Sequence, residues 1–252
     1  MTFMHTLGCD GCRGGWLVIE RIEGAPPHGN TVDHSWRWQV ISRFSDLFPP
    51  KNTTNTTPEL DYAFIDIPIG LSDQASRNCD SAARRFLGSG FASSVFPSPT
   101  RSALAAASYG DANQNNRVAS GKGLSKQAYF LLPKIRDIDE FLTQAPNWRG
   151  KLREAHPEVA FTAINGKTLA HKKKTSEGFN ERLSILQQLD PTAEQISTEI
   201  IEQTRRQEVA RDDVLDALCL CLMPLAGTLK TLPAQPERDA TGLAMEICYF
   251  SP

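Results

Sequence analysis

The chain has 252 residues, 40% hydrophobic and 22% charged, which is the composition of an ordinary globular protein with room for a sizeable core. Its formal net charge of −2 excludes an overall basic character, so contact with nucleic acid has to come from a local patch. The six scattered cysteines exclude a disulfide scaffold, and the C-x-x-C of Cys9 and Cys12 has no second pair for a zinc site, so buried thiols are expected.

The N-terminus has no signal-peptide pattern, because no basic segment precedes a long apolar stretch. The longest apolar run, at 217–226, is too short to span a bilayer. We therefore expect a soluble, cytoplasmic protein with no membrane partner.

The first predicted element is a β-hairpin in LGCDGCRGGWLVIE, residues 7–20. Asp10 stands out in it because Asp is depleted from strands. Two explanations stay open. Asp10 bonds its own backbone near Gly11 as a turn residue, or it presents a carboxylate to a metal or substrate, which requires partner carboxylates elsewhere in the chain.

Two more strands are predicted after the hairpin. A Pro/Gly break at 25–30 is followed by alternation at 36–44, which indicates a third antiparallel strand. A polar linker at 49–59 then leads to DYAFIDIPIG, a central strand expected to end at Ile67. Asp66 lies at its C-terminal end, where it either bonds the following turn or serves a functional role.

The chain from about 72 to 148 is helical in character and includes a long amphipathic helix that Ser125 is expected to cap. We interpret it as a helical insertion in one domain spanning 1–252, because strand-like segments resume after it. KLREAHPEVAFTAING, at 151–166, predicts a short strand that breaks at Pro157 and continues as a helix.

The last third of the chain is predicted to be mainly helical. Amphipathic helices are expected around 177–189 and 192–207, and a buried helix in RDDVLDALCLCLMPLAG, at 211–227. EICYF, at 246–250, predicts an edge strand.

The buried helix carries acids in its first turns. Asp213 and Asp216 are three residues apart and share one face. Helix capping explains Asp212 or Asp213 well. It explains Asp216 poorly, because a carboxylate inside a buried helix is costly unless it is paired, hydrogen-bonded or bound to metal.

Glu158 and His156 flank Pro157 and have ordinary explanations too. Glu158 is either an early-turn helix acid or a functional carboxylate. His156 is more typical of a hydrogen-bonded core residue than of a ligand.

Several carboxylates brought together repel one another and need cations, and hard oxygen ligands select Mg²⁺ or Mn²⁺. Two such ions about 3.5 to 4 Å apart catalyse in-line displacement at phosphorus. This interpretation places four acids around shared metal ions: Asp10, Asp66, Asp213 and Asp216.

A set of short motifs, in a fixed order from near residue 7 to about 226, resembles the DUF429 family of predicted ribonuclease H-like nucleases: GCDGCRGGW, IDIPIGL, CDSAARRFLG to VFPSPTR, GKGLSKQ, EAHPEVAF and DDVLDALCL. The resemblance implies an α/β fold with a mixed five-stranded sheet, its first three strands antiparallel, flanked by helices. It also implies that Asp10, Asp66, Asp213 and Asp216 hold Mg²⁺ or Mn²⁺ as catalytic carboxylates. Glu158 falls in the family's HPE motif and is a further catalytic candidate.

Basic residues that could contact phosphate form three groups. Arg101 offers a bidentate guanidinium, and Lys122 and Lys126 lie in GKGLSK, which lacks the spacing of a nucleotide-binding Walker loop. For the third group, Lys172 to Lys174, we expect a solvated loop. Arg101, Lys122 and Lys126 are therefore the predicted substrate-binding residues.

The sequence thus predicts a divalent-metal-dependent nuclease that hydrolyses phosphodiester bonds by a two-metal mechanism, with nucleic acid as its partner. Two alternatives stay open: a non-catalytic module of the same fold that binds nucleic acid or protein, and a hydrolase of a small phosphorylated metabolite.

Overall fold

The structure is a computed structural model that describes residues 4–24, 33–47 and 60–252. The predicted break at 25–30 and the polar linker at 49–59 lie outside the described residues. In the described part of the chain, no helix is long and apolar enough to cross a bilayer.

Five strands form the main sheet: β1 (His5–Cys12), β2 (Gly15–Gly24), β3 (Asp33–Ile41), β4 (Tyr62–Ile65) and β5 (Leu152–Glu154). Their spatial order is β3-β2-β1-β4-β5. The pairs β1–β2 and β2–β3 are antiparallel, whereas β1–β4 and β4–β5 are parallel. This confirms the predicted α/β fold with a mixed five-stranded sheet and is consistent with the ribonuclease H-like fold.

Eight helices flank the sheet in the described residues. Four lie between β4 and β5, in the segment predicted to be helical: α1 (Asn78–Phe91), α2 (Arg101–Leu104), α3 (Tyr109–Ser120) and α4 (Lys126–Gln144). Ser125 caps α4 as predicted, since its Oγ accepts a hydrogen bond from the Ala128 amide at 3.1 Å. The others follow β5: α5 (Pro157–Asn165), α6 (Ser176–Leu189), α7 (Ala193–Gln203) and α8 (Arg211–Leu222).

The two faces of the sheet bury alternate residues of each strand. On β2, Leu17 and Ile19 belong to the core beneath α8, whereas Trp16 and Val18 belong to the core beneath α4. All six cysteines are buried and unbridged, as expected from their scattered positions.

Helix α8 lies unusually close to β1 at Gly8. A Cβ atom at Gly8 would stand 2.2 Å from the Ala217 carbonyl oxygen and 2.3 Å from the Cys221 amide nitrogen. Only glycine allows the helix backbone to approach the strand this closely. This contact brings the first turns of α8 to the carboxyl end of β1.

Two predictions about strands need correction. Strand β4 ends at Ile65 instead of Ile67, so Asp66 follows the strand. EICYF lies within β7 (Ala244–Ser251), which pairs with an unpredicted strand, β6 (Thr228–Arg238), in a separate two-stranded sheet. β6 contains Pro233 and Pro236, and proline within a run argues against a strand when only the sequence is considered.

Candidate active site

Two of the predicted carboxylates lie side by side at one edge of the sheet. Asp10 is near the end of β1, and Asp66 follows β4 directly. Because β1 and β4 are parallel neighbours, their carboxyl ends meet, and the Asp66 amide donates to the Cys9 carbonyl oxygen at 3.0 Å. The strand pairing itself therefore positions these two acids.

Helix α8 brings the other two acids of the predicted metal site. Asp213 and Asp216 lie in its first two turns, and Asp216 is only 2% exposed. A single cavity of about 670 Å³ is lined by all five predicted catalytic acids: Asp10, Asp66, Glu158, Asp213 and Asp216. Residues far apart in the sequence thus line one cavity.

The electrostatics of the cavity show an excess of negative charge. Burial, followed by the charges of Asp66, Asp216 and Asp213, raises the pKa of Asp10 well above its ordinary value. Burial and the charge of Asp216 raise the pKa of Asp66 to about 7. Burial also raises the pKa of Asp213. Protonation or a cation is needed to relieve this repulsion.

Two of these acids also form local hydrogen bonds. Asp10 Oδ1 accepts a hydrogen bond from the Gly11 amide at 2.8 Å, as a turn aspartate does. Ala210, not Asp212 or Asp213, is the cap residue of α8; Asp213, in the first turn, accepts through Oδ2 from the Ala210 amide at 2.9 Å and so stabilises the start of the helix. Each carboxylate has a second oxygen, so a local hydrogen bond does not prevent it from acting in the cavity.

Glu158 differs from the other acids because it has a dedicated cation. Arg182 of α6, itself 1% exposed, donates through Nη2 to both Glu158 carboxylate oxygens, at 2.6 and 2.8 Å. This buried ion pair neutralises Glu158 within the cavity wall. Its predicted catalytic role stays a prediction.

Lys173 is a residue of the site that the sequence did not indicate. Its Nζ lies 2.6 Å from Asp216 Oδ2 and 3.8 Å from Asp212 Oδ2, and the charge of Asp216 raises the Lys173 pKa. The expectation of a solvated loop is therefore wrong for Lys173, although Lys172 and Lys174 are exposed. A run of three lysines gives no signal of which one turns inward.

His156 also lines the cavity. Its Nε2 lies 3.3 Å from the Ser94 carbonyl oxygen, which can only accept, so Nε2 carries the proton and Nδ1 is an acceptor. Nδ1 is buried and has no hydrogen-bond partner among the described residues, and burial lowers the His156 pKa. The His156 side chain is therefore a neutral imidazole whose Nδ1 can accept a hydrogen bond.

The predicted substrate-binding residues lie outside the lining of this cavity. Arg101 forms a bidentate pair with Asp139, both distances being 3.0 Å, and also bonds Asp239. Lys122 and Lys126 are exposed near the end of α3 and at the start of α4. Their role in substrate binding stays a prediction.

The chemistry of the carboxylates fits Mg²⁺ or Mn²⁺, since these ions prefer oxygen ligands and the acids carry uncompensated charge. Within residues 4–24, 33–47 and 60–252, however, no group of three or more His, Cys, Asp or Glu side chains has the arrangement of a metal site. Lys173 instead provides the positive charge next to Asp216. The acids line one cavity, and a metal site there would require them to lie closer together.

Fold and site together define an α/β protein of ribonuclease H-like architecture with a carboxylate cluster where two parallel strands end beside a buried helix. The family model of DUF429, "Protein of unknown function", matches residues 8–238, and the chain belongs to this family. The search of curated proteins and the search of solved structures gave no significant match.

Proposed function

We propose that the protein is a divalent-metal-dependent phosphodiesterase, a nuclease, whose Mg²⁺ or Mn²⁺ ions are held by Asp10, Asp66, Asp213 and Asp216. One observation carries the proposal. These four acids come from three segments distant in sequence and line one cavity, and burial and neighbouring carboxylates raise the pKa values of Asp10, Asp66 and Asp213. Groups with perturbed pKa values that converge in a cleft favour a functional site over a purely structural one.

The balance of charge supports a cation at this site. Of the acids that line the cavity, four are the proposed metal ligands, and the Lys173 ammonium group pairs with one of these four, Asp216. Glu158 and Arg182 neutralise each other and leave this balance unchanged. Ionisation of Asp10 and Asp66 near neutral pH is therefore favoured by a bound divalent cation.

Bound metal would stabilise charge on the phosphoryl group and make an attacking water more acidic. The chain's own part is to hold the ions through the four carboxylates and to keep Asp10 and Asp213 oriented through their backbone hydrogen bonds. Lys173 pairs with Asp216 at 2.6 Å, and a cation bound at Asp216 would leave this ammonium group available to a substrate phosphate.

The test is a screen of purified protein with Mg²⁺ or Mn²⁺ on single-stranded, duplex and branched DNA and RNA. Asp10→Asn and Asp213→Asn should abolish turnover while keeping the fold, because Asn retains an oxygen that can accept the local backbone hydrogen bond. Asp73→Asn is the matched control, since Asp73 is exposed and lies outside the cavity lining.

Metal binding is measured separately by calorimetry. Wild type and Asp73→Asn should bind Mn²⁺, and Asp10→Asn should bind it weakly. Wild type that neither binds Mn²⁺ nor cleaves any of these substrates refutes the proposal.

A non-catalytic binding module is the second candidate, and the Lys173–Asp216 pair favours it. A site whose most buried acid already has an internal cation has less need of a metal. This candidate predicts that wild type binds nucleic acid or protein without any stabilisation by divalent ions.

A further inference from the structure

A second cavity adjoins the carboxylate site. Its volume is about 1240 Å³, and the residues that line both cavities include Gly11, Lys134, Lys174, Asp212 and Asp213. Two of these are acids in the first turn of α8, so the second cavity opens beside the proposed reaction centre. Small-ligand sites measure about 300 to 1,000 Å³. The joined space therefore suits an extended substrate better than a small metabolite.

Three exposed cations line this second cavity. Arg13, Lys174 and Arg206 are all exposed, and within the described parts of the chain none of them forms an ion pair or a side-chain hydrogen bond. Arg13 follows β1, Lys174 precedes α6, and Arg206 precedes α8. Three separate segments thus direct free positive charge to one groove in a protein whose net charge is −2.

The other basic residues of the groove are already engaged. Arg43 lies 3.7 Å from Asp137 and 3.6 Å from Glu140. Lys134 of α4 bonds the Gly15 carbonyl oxygen and lies 4.6 Å from the centre of the Trp16 ring. Arg136 donates to the Leu104 carbonyl oxygen. Arg43 offsets Asp137 and Glu140. Among the cations that line the groove, Arg13, Lys174 and Arg206 are therefore those that the described residues leave available to an anionic ligand.

An aromatic ring stands in the same groove. Phe130 of α4 lines it and is 72% exposed, which makes it one of the few large apolar side chains that the described residues leave open to water. A flat ring beside phosphate-binding cations is how proteins bind unpaired bases, because each base can stack on the ring whatever its identity.

We infer that this groove binds a single-stranded polynucleotide, whose phosphates contact Arg13, Lys174 and Arg206 and one of whose bases stacks on Phe130. A duplex would keep its base faces stacked and leave Phe130 exposed. The inference rests on the proposed function only for the step after binding, in which the strand leads a phosphodiester into the adjoining carboxylate cavity.

The test is fluorescence anisotropy of a labelled mixed-sequence oligonucleotide of about 20 nucleotides, long enough to cover such a site. It is performed in EDTA, so that no turnover is needed, with single-stranded DNA, single-stranded RNA and the matching duplex. Arg13→Gln, Lys174→Gln and Arg206→Gln should each weaken single-strand binding and reduce the slope of log K against log salt by about 0.7.

Phe130→Ala should weaken single-strand binding about 10-fold and leave that salt slope unchanged, because stacking involves no counterion release. The matched controls are Arg85→Gln, for an exposed arginine outside both cavities, and Val118→Ala, for an exposed apolar residue on α3. Both controls should bind as wild type does.

Wild type that does not bind single strands, or groove variants that bind as the controls do, would overturn the inference. Duplex binding as tight as single-strand binding, with Phe130→Ala without effect, would overturn it as well. Because binding is measured without metal, such a failure leaves the proposed metal chemistry standing. Conversely, groove binding without cleavage in Mn²⁺ counts against the proposed function alone.

Discussion

Lys173→Met removes the ammonium group that pairs with buried Asp216. The methionine keeps most of the length of the side chain, so the change is chiefly one of charge. Breaking a fully buried ion pair costs about 3 to 5 kcal/mol. Because the Lys173 side chain is 37% exposed, water screens part of this interaction, and we expect a loss of about 2 kcal/mol.

The free energy of unfolding is measured in urea, with and without Mg²⁺. The charge of Lys173 offsets part of the rise in the pKa values of Asp10 and Asp66. Its removal therefore increases the repulsion among these acids and makes them more dependent on a metal ion. If Mg²⁺ takes over the role of the lysine, an ion concentration 100 times the Kd restores about 2.7 kcal/mol. Mg²⁺ should therefore stabilise the variant more than wild type.

Lys167→Met is the control, because Lys167 is an exposed lysine in the same loop. The reasoning about the ion pair is refuted if Lys173→Met unfolds at the same urea concentration as Lys167→Met. The reasoning about metal replacement is refuted if Mg²⁺ stabilises wild type and Lys173→Met equally.

Two further outcomes are expected from the site and its supporting contacts. The pKa of Asp66 is about 7 in the folded protein and about 3.9 in the unfolded chain. Without metal, the contribution of Asp66 to the free energy of unfolding is therefore complete below about pH 4 and is lost as the pH rises through 7. Urea unfolding of Asp66→Asn across this range should show a shallower decline than wild type, and an equal decline would contradict the assignment. Gly8→Ala forces β1 and α8 apart and should lower the free energy of unfolding by about 1 to 3 kcal/mol or more. Gly90→Ala is the control: a Cβ at Gly90 meets open space, so the free energy of unfolding should not fall.

Most strands of the main sheet were predictable because their signals are local, whereas the mixed five-stranded arrangement was an implication of the resemblance to DUF429. The glycine-punctuated hairpin, the alternation before β3 and the break at Pro157 are each visible within about 10 residues of sequence. Strand β6 was missed because its local signal is weak: Pro233 and Pro236 argue against a strand. Its pairing with β7, which lies further along the chain, is visible only in the structure.

The acids of the site were predictable from their unfavourable positions. An aspartate in a core strand and another inside a buried helix need an explanation, and the fold places both in one cavity. The cations were not predictable in this way, because a basic side chain is favourable almost anywhere on a surface. Only the fold shows that Arg101 is held by Asp139 and Asp239 and that Lys173 turns inward.

Lys134 joins α4 to the first hairpin through the Gly15 carbonyl and the Trp16 ring, and it lines both cavities. These contacts link residues 119 positions apart and hold the two walls of the cleft at a set spacing. The cleft is therefore preorganised: its walls are ordered before a ligand arrives. The entropic cost of association then falls mainly on the ligand, so a ligand that loses little conformational freedom on binding is favoured.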